Sequence, residues 1–328
     1  MNKILIIQTA FIGDVILATG LLEKLHAEYP KAEIHFLLRK GNEGLLENHP
    51  LINQLLVWDK KIGKFKNLIS IIKTIRKNKY DALINLQRFE ASGLITFLSG
   101  ARIKLGFDKN PFSFCYTDKA KHEIGNGKHE IERNQLVIES ICSKKDESFG
   151  LPKLYPSAKN FEDTLKYKTK EYIVVAPASV WFTKQVPVNK WIELITETDS
   201  NKHVYLIGAP NDLAICEAIS KQFPTNRISI LAGKLNFLES AALMKDAAMN
   251  YTNDSAPLHI ASAMQAKVTA VFCSTIPEFG FGPTNASGII AQTEKELKCR
   301  PCGLHGLKEC PKGHFDCAQT INMKNIAL

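Results

Sequence analysis

The sequence lacks an apolar run of the ~18 to 20 residues that a membrane-spanning helix needs. It also lacks a cleavable signal at its start, because Met1–Leu5 already has the pattern of a strand. With 45% hydrophobic and 23% charged residues, the composition is that of a globular protein. These features predict a soluble protein that resides in the cytoplasm.

Acidic residues are too few to balance the basic ones, which leaves a formal net charge of +9. Such a charge favours nucleic acid, an anionic membrane surface or a phosphorylated substrate as partner. The lysines form modest clusters at 60–61, 64–66 and 73–79, without the interleaved aromatic residues of an RNA-binding sequence. We therefore expect no nucleic-acid partner, and each cluster alone also fits a solvated helix face.

Strand-like runs alternate with helical patterns in two successive series, which is typical of βαβ units and parallel sheets. Neither series has GxGxxG after its first strand, which argues against a dinucleotide dehydrogenase. The length of 328 residues fits two α/β domains. We predict an amino-terminal Rossmann-like domain over 1–155, a polar linker over 156–170 and a carboxy-terminal Rossmann-like domain over 171–328, enclosing a cleft.

Asp14 follows the first apolar run and a short turn that contains Gly13, and it begins an amphipathic helical pattern. Ligands of open α/β sheets collect at the carboxyl ends of the strands, so this carboxylate is a candidate general base. The alternative is that Asp14 only caps the helix and complements its dipole.

A second candidate site is the turn Asn253-Asp254-Ser255-Ala256-Pro257, which follows a predicted strand and leads to His259. Pro257 suits the first position of a helix, and amide groups at a helix start bind phosphate. Ser255 adds a hydroxyl and His259 lies on the first turn. Capping by Asp254 or Ser255 and an ordinary helical histidine are the alternatives.

Two further loops follow strands of the second series. Ser179, Thr183 and Lys184 offer hydroxyl groups and a cation to a diphosphate, although a solvated loop lysine is common. Asp212 follows Gly208 and fits either a ribose contact or a helix cap.

The tail carries four of the eight cysteines of the chain: Cys299, Cys302, Cys310 and Cys317. One CxxC followed by two more cysteines is similar in kind to tetrahedral zinc ligation, although the spacing of the second pair departs from the usual knuckle. A structural zinc or iron site and a set of reduced, partly buried thiols both fit the pattern, whereas a disulfide scaffold does not.

Together these segments resemble glycosyltransferase family 9, the ADP-heptose:lipopolysaccharide heptosyltransferases, over essentially the whole chain. The likeness is carried by Gly13–Asp14, by Thr183–Lys184 with Pro187 and Trp191, and by 253–255 with His259. The cysteine-rich tail is similar to the end of some members.

The resemblance implies a GT-B fold whose amino-terminal domain holds the acceptor and whose carboxy-terminal domain holds the nucleotide sugar. It implies Asp14 as general base, Lys184 and the 255–259 helix start as diphosphate contacts, and Asp212 as ribose contact. Ala256 stands where members often have glycine, and its methyl would hinder a phosphate if the turn needs positive φ.

The resemblance further implies an inverting transfer from ADP-heptose that needs no cofactor, and the second domain has no Asp-x-Asp pair near its phosphate turn. The basic charge then fits a phosphorylated lipid-linked oligosaccharide at the inner face of the cytoplasmic membrane as acceptor, with Gly13 as a contact. Arg88 is a further candidate contact because it lies just after the predicted strand that ends at Leu86. Arg88 also fits a surface ion pair. A glycosyltransferase with another donor, and a noncatalytic nucleotide or nucleic-acid binding protein with a zinc-bound tail, are the remaining interpretations.

Overall fold

The chain consists of two compact units, Met1–Tyr155 and Pro156–Leu328. A computed structural model describes residues 1–61, 63–142 and 150–328. Each unit contains one six-stranded sheet in which every pair of neighbouring strands is parallel. The predicted α/β class is therefore confirmed, and both units have the Rossmann-like pattern of strands joined by helices.

The first sheet has the order β3-β2-β1-β4-β5-β6, so the chain reverses its direction of winding between β1 and β4. The apolar run Ile4–Ile7 is completely buried at the centre of this sheet. Ligands of such folds bind beyond the carboxyl ends of the two strands at this switch point. The elements are β1 (Lys3–Ile7), α1 (Ile12–Glu28), β2 (Glu33–Arg39), β3 (Gln54–Trp58), α2 (Lys64–Asn78), β4 (Ala82–Asn85), α3 (Glu90–Leu98), β5 (Ile103–Phe107), β6 (Asp118–Ala120) and α4 (Glu130–Leu136).

The second sheet repeats this topology with the order β12-β11-β10-β7-β8-β9, and its switch point lies between β7 and β10. Its core includes Trp191, Tyr251 and Phe272, all of them fully buried. The elements are α5 (Ala158–Thr164), β7 (Tyr172–Ala176), α6 (Val188–Glu197), β8 (His203–Leu206), α7 (Leu213–Ser220), β9 (Ile228–Ile230), α8 (Phe237–Lys245), β10 (Met249–Asn253), α9 (Ala256–Ala263), β11 (Val268–Phe272), β12 (Gly288–Gln292) and α10 (Asp316–Gln319).

The segment 156–170, which the sequence predicts to be a linker, contains α5 and groups with the second unit. Ser157 caps α5 by accepting a hydrogen bond from the amide of Asn160. Lys168 pairs with Asp246 just after α8 and donates to the carbonyl of Ala242. These contacts make the segment part of a folded domain. The other lysine-rich residues that follow α4, 143–149, lie outside the described ranges.

No helix within the described ranges is long and apolar enough to cross a membrane.

The first unit buries an ion pair on α4. Arg133 Nε lies 2.8 Å from Glu130 Oε2, and the two side chains are only 1% and 9% exposed. Arg133 also donates to the carbonyl of Lys128. A carboxylate buried to this degree depends on its partner, because desolvation is costly when the opposite charge is removed.

We expect Arg133→Ala to lower the free energy of unfolding of the first unit by about 3 to 5 kcal/mol, because Glu130 would remain buried and uncompensated. Urea denaturation followed by circular dichroism measures this loss. Lys40→Ala is the matched control, since it breaks an ion pair with Asp59 on the surface of the same unit and should change nothing measurable. Equal stability of Arg133→Ala and wild type would show that the buried pair has no net effect.

Candidate active site

The predicted site residues follow the strands that flank the switch points. In the first unit, Asp14 follows β1 and Arg88 follows β4, and these strands are neighbours. In the second unit, Lys184 lies on the loop after β7, and Ser255 follows β10, which pairs directly with β7. The strand order of each sheet thus brings residues far apart in sequence to the edge where ligands of α/β folds bind.

Asp14 occupies the third position of α1, and its Oδ2 accepts a hydrogen bond of 3.2 Å from the amide of Phe11. The capping contact predicted as the alternative is therefore present. The carboxylate nevertheless remains partly exposed, as does Gly13 beside it. A capping contact to one carboxylate oxygen and a role as base are compatible, since a carboxylate has several lone pairs.

Asp14 lies within electrostatic range of Glu130, a buried carboxylate of the first unit. Burial raises the pKa of Glu130, and the negative charge of Asp14 raises it further, whereas the charges of Arg133 and Arg88 oppose the rise. Burial also lowers the pKa of His122 to about 4, with the positive charges of Arg88 and Arg133 adding to the shift. Arg88 therefore lies within electrostatic range of both Glu130 and His122.

Two cations near the β1–α1 turn are not among the site residues that the sequence predicts. Lys60 Nζ donates to the carbonyl and hydroxyl oxygens of Thr9, at 3.0 and 2.9 Å. The Arg39 guanidinium lies 4.8 Å from the centre of the exposed Phe11 ring. Arg39 ends β2 and Lys60 follows β3, so the rule that singles out Arg88, a cation at a strand's carboxyl end, also finds these two.

In the second unit, the buried side chain of Asn253 organises the loop after β7. Its amide nitrogen donates to the carbonyls of Pro177 and Ala178, at 2.9 and 3.1 Å, and more weakly to Ala176. Its amide oxygen accepts from the backbone amide of Val186 at 2.9 Å. Asn253 therefore fixes both ends of the loop that carries Ser179 and Lys184.

Lys184 forms an ion pair of 2.7 Å with Asp254, and the two side chains are 16% and 6% exposed. Thr275 donates a second hydrogen bond of 2.7 Å to the same Asp254 oxygen. The sequence predicts that Asp254 contacts the nucleotide-sugar donor. In the structure, Asp254 forms an ion pair with Lys184 and so positions the lysine side chain. The ammonium group is thus directed toward the start of α9, where amide groups and the helix dipole attract anions.

The turn at α9 has ordinary backbone geometry. Ser255 is the residue before the helix, with extended dihedral angles and no capping hydrogen bond from its side chain. Ala256 is the first helical residue and does not have positive φ, so its methyl group adds no backbone strain. The condition under which its methyl group would hinder a phosphate, a positive φ in the turn, is therefore not met. His259 is buried on the same helix.

Thr183 and Asp212 have structural partners. Thr183 is buried, and its hydroxyl accepts from Ser274 Oγ and from the amide of Leu307, at 2.9 and 2.7 Å. Asp212 Oδ2 accepts from the amide of Ala209 at 2.8 Å, which is the capping alternative. Ser179, whose amide donates to Gln185 Oε1, remains partly exposed on the loop.

Comparison with known proteins identifies the family of the chain. The profile of Glycosyltransferase family 9 (heptosyltransferase) matches residues 68–305. The chain is 30% identical over 283 residues to lipopolysaccharide heptosyltransferase 3 of Escherichia coli K12, covering 80% of each protein. The chain belongs to glycosyltransferase family 9.

The solved structures show that this family 9 glycosyltransferase has the GT-B fold. The structure of E. coli ADP-heptose lps heptosyltransferase II superposes with a TM-score of 0.79 at 19% identity, over 92% of this chain and 95% of that one. E. coli heptosyltransferase WaaC with ADP-2-deoxy-2-fluoro heptose superposes with a TM-score of 0.73 at 20% identity, over 89% and 93%.

The cysteine-rich tail of this glycosyltransferase lies beside the Lys184 loop. The amide of Thr183 donates to the carbonyl of Leu307, and the amide of Cys302 donates to the carbonyl of Ser274. Arg300 donates to the carbonyls of Phe272, Cys273 and Thr275 beyond β11. These bonds attach the tail to the carboxyl edge of the second sheet.

All four predicted cysteines, together with His314, line one cavity of about 290 Å³. Burial raises the pKa of Cys317 to about 12, with a smaller rise from the neighbouring thiols of Cys302, Cys310 and Cys299. Among the described residues, no group of three or more His, Cys, Asp or Glu side chains is arranged so that it could hold a metal ion. The zinc site therefore stays a prediction, although its cysteines do lie together.

Gly306 allows the tail to approach Lys184. Its φ is +78°, and a Cβ built there would lie 2.9 Å from Lys184 Cγ and 3.0 Å from Thr183 Oγ1. We expect Gly306→Ala to displace Lys184 and to weaken the binding of a nucleoside diphosphate about tenfold, a loss of ~1.4 kcal/mol. Isothermal titration with ADP measures this change.

Gly303→Ala is the control for backbone strain. Gly303 has a φ of +69°, but apart from Gly303 itself and its two neighbours in the chain, no atom of the described residues lies within 4 Å of the position that a Cβ would take there. Both variants should lose about 1 to 2 kcal/mol of stability, because L-residues resist this conformation. Only Gly306→Ala should lose ADP affinity, and equal affinity of the two variants would show that the tail does not position Lys184.

Proposed function

We propose that the chain is an inverting heptosyltransferase, which transfers heptose from ADP-heptose to a lipopolysaccharide core acceptor. The observations that support the proposal lie in each unit separately: Lys184 and the start of α9 follow the strands at the switch point of the second sheet, and the carboxylate of Asp14 follows a strand at the switch point of the first. The E. coli K12 relative reported above is lipopolysaccharide heptosyltransferase 3, and the structure of E. coli heptosyltransferase WaaC contains ADP-2-deoxy-2-fluoro heptose.

The donor diphosphate is held by the second unit. Lys184 supplies a positive charge, and the start of α9 supplies amide groups with the helix dipole behind them. Ser255 and Ser179 are the partly exposed hydroxyl groups on the two adjoining loops. Asp212 contacts the ribose, through the part of its carboxylate that the Ala209 amide does not occupy. His259 lies on the first turn of α9 and belongs to the helix start that contacts the diphosphate.

Asp14 acts on the acceptor. It removes the proton from the attacking sugar hydroxyl, and the oxygen forms a bond to the anomeric carbon of the heptose. The bond between that carbon and the diphosphate oxygen breaks on the opposite face, and the electron pair leaves with ADP. Lys184 and the α9 amide groups stabilise the negative charge that grows on the leaving group. These groups provide the charge stabilisation without a metal.

The acceptor is a phosphorylated lipid-linked oligosaccharide held by the first unit. Arg88, Arg39 and Lys60 lie around the β1–α1 turn or follow its neighbouring strands, and their cations suit phosphate groups. Gly13 leaves room for the acceptor beside Asp14. The net charge of +9 fits an anionic substrate at the inner face of the cytoplasmic membrane.

We expect Asp14→Asn to lower turnover of ADP-heptose by about 10² to 10⁴-fold, because a general base contributes that much. Binding of ADP should persist, since the donor contacts lie in the second unit. Lys184→Met is the complementary variant, and it should lose ADP affinity as well as turnover. Transfer is measured as ADP release with purified acceptor, and binding as the rise in melting temperature.

Normal turnover by Asp14→Asn would remove Asp14 from the mechanism while leaving the family assignment intact. Greater stabilisation by UDP or GDP species than by ADP species would instead indicate a glycosyltransferase of the same fold that uses another donor.

A structural zinc ion at Cys299, Cys302, Cys310 and Cys317 is a separate proposal, supported by the cavity they share. Zinc would deprotonate the thiols and draw their sulfur atoms together. We expect elemental analysis of protein purified without chelator to find about one equivalent of zinc. Cys302→Ser should lose it, whereas Cys216→Ser, at a buried cysteine elsewhere, should retain it. Metal-free wild-type protein would eliminate the site.

A further inference from the structure

The outward face of α2 combines cations with exposed apolar side chains. Residues 60–80 contain eight lysines and arginines and no acidic residue. Phe65 is 76% exposed and Ile69, one turn later, is 55% exposed. Lys66, Lys73 and Lys77 are exposed on the same helix. Neither the fold nor the proposed reaction uses this face.

The opposite side of α2 is the side that packs into the core of the first unit. Ile71, Ile72 and Ile75 are buried and pack with Leu83 and Ile95 in the core of the first unit. Exposed Phe65 and Ile69 are therefore additional to the stripe that anchors the helix. Large apolar groups left in water on a monomer often mark an interaction surface.

Further exposed apolar side chains of the first unit lie at the end of α3 and on the loop beyond β5. Arg76 Nη1 donates to the carbonyl of Leu98 at 3.0 Å, which connects the end of α2 to the end of α3. Phe97 and Phe114 are 44% and 72% exposed, and their ring centres lie 5.9 Å apart. Lys104 Nζ donates to the carbonyl of Phe97, so a further cation borders the rings.

We propose that the outward face of α2, the end of α3 and Phe114 form a docking surface for an anionic lipid bilayer. Phenylalanine and aliphatic side chains insert at the boundary between headgroups and acyl chains, while lysines contact anionic headgroups. The exposed side chains of Ile69 and Leu98 are aliphatic and cannot stack on bases as the phenylalanine rings could, so their presence in the surface favours a bilayer over nucleic acid. The contact holds the first unit at the surface that presents a lipid-linked acceptor.

The test is sedimentation of the full-length chain with vesicles. We expect binding to vesicles of 60% phosphatidylcholine and 40% phosphatidylglycerol at low salt, and little binding to pure phosphatidylcholine. Lys66→Gln, Lys73→Gln and Lys77→Gln together should weaken binding ~100-fold, because each cation near an anionic surface contributes about fivefold. The control, Lys221→Gln, Lys234→Gln and Lys308→Gln, removes the same charge from exposed sites of the second unit and should bind at least tenfold more tightly than the α2 triple variant.

The apolar side chains of the docking surface are tested with a separate variant and control. Phe65→Ser with Ile69→Ser should weaken vesicle binding at least tenfold, because both side chains would lose their burial in the bilayer. Leu165→Ser, at a leucine that is 60% exposed in the second unit, should bind like wild type. Circular dichroism and unchanged ADP binding confirm that each variant is folded.

Equal vesicle binding by the α2 variants and their controls would overturn the proposal, as would equal binding to neutral vesicles. Tight binding to an oligonucleotide that anionic vesicles fail to displace would assign the surface to nucleic acid instead. Since no experiment in this series measures sugar transfer, failure of the docking surface and failure of the proposed reaction can be distinguished.

Discussion

The candidate site of the second unit depends on the buried side-chain amide of Asn253. This side chain lies at the end of β10 and bonds to backbone groups on both sides of the loop after β7, at Pro177, Ala178 and Val186. An amide has both donors and an acceptor, so one residue can satisfy carbonyl and amide groups that would otherwise be buried without partners. A carboxylate at this position could not donate, and an apolar residue would leave the loop unanchored.

Asn253 and its neighbour Asp254 together confine the side chain of Lys184. The loop that Asn253 fixes carries Lys184, and Asp254 holds the ammonium group at 2.7 Å. A lysine side chain has many rotamers, and confining it before the ligand arrives reduces the entropy lost on binding. The tail contributes from the other side, because Gly306 approaches Lys184 and Leu307 bonds to Thr183.

The sequence predicts most of the strands from their apolar residues, including the edge strands β3 and β9. The clearest of them, Ile4–Ile7 and Tyr172–Ala176, are buried in the centre of a sheet. The strands it misses are β5, β6 and β12, which lie toward or at the sheet edges. Gly288–Gln292 alternates little and exposes Ile289 and Ile290, and Asp118–Ala120 is short and polar. Edge strands derive their stability from pairing with a neighbour, which no local pattern records.

For the site residues too, the sequence predicts what depends on neighbouring residues and misses what depends on contacts between distant parts of the chain. Asp14 and Ser255 stand directly after strands, so their place at the switch points follows from local sequence and topology. The partnership of Lys184 with Asp254 spans 70 residues of chain, and the contact of Leu307 with Thr183 spans 124. Thr183 illustrates the consequence: the sequence predicts that its hydroxyl faces a phosphate, yet it accepts hydrogen bonds from Ser274 and from the tail. A hydroxyl beside a binding loop serves the ligand only when the fold leaves it exposed, and that depends on which distant segment packs there.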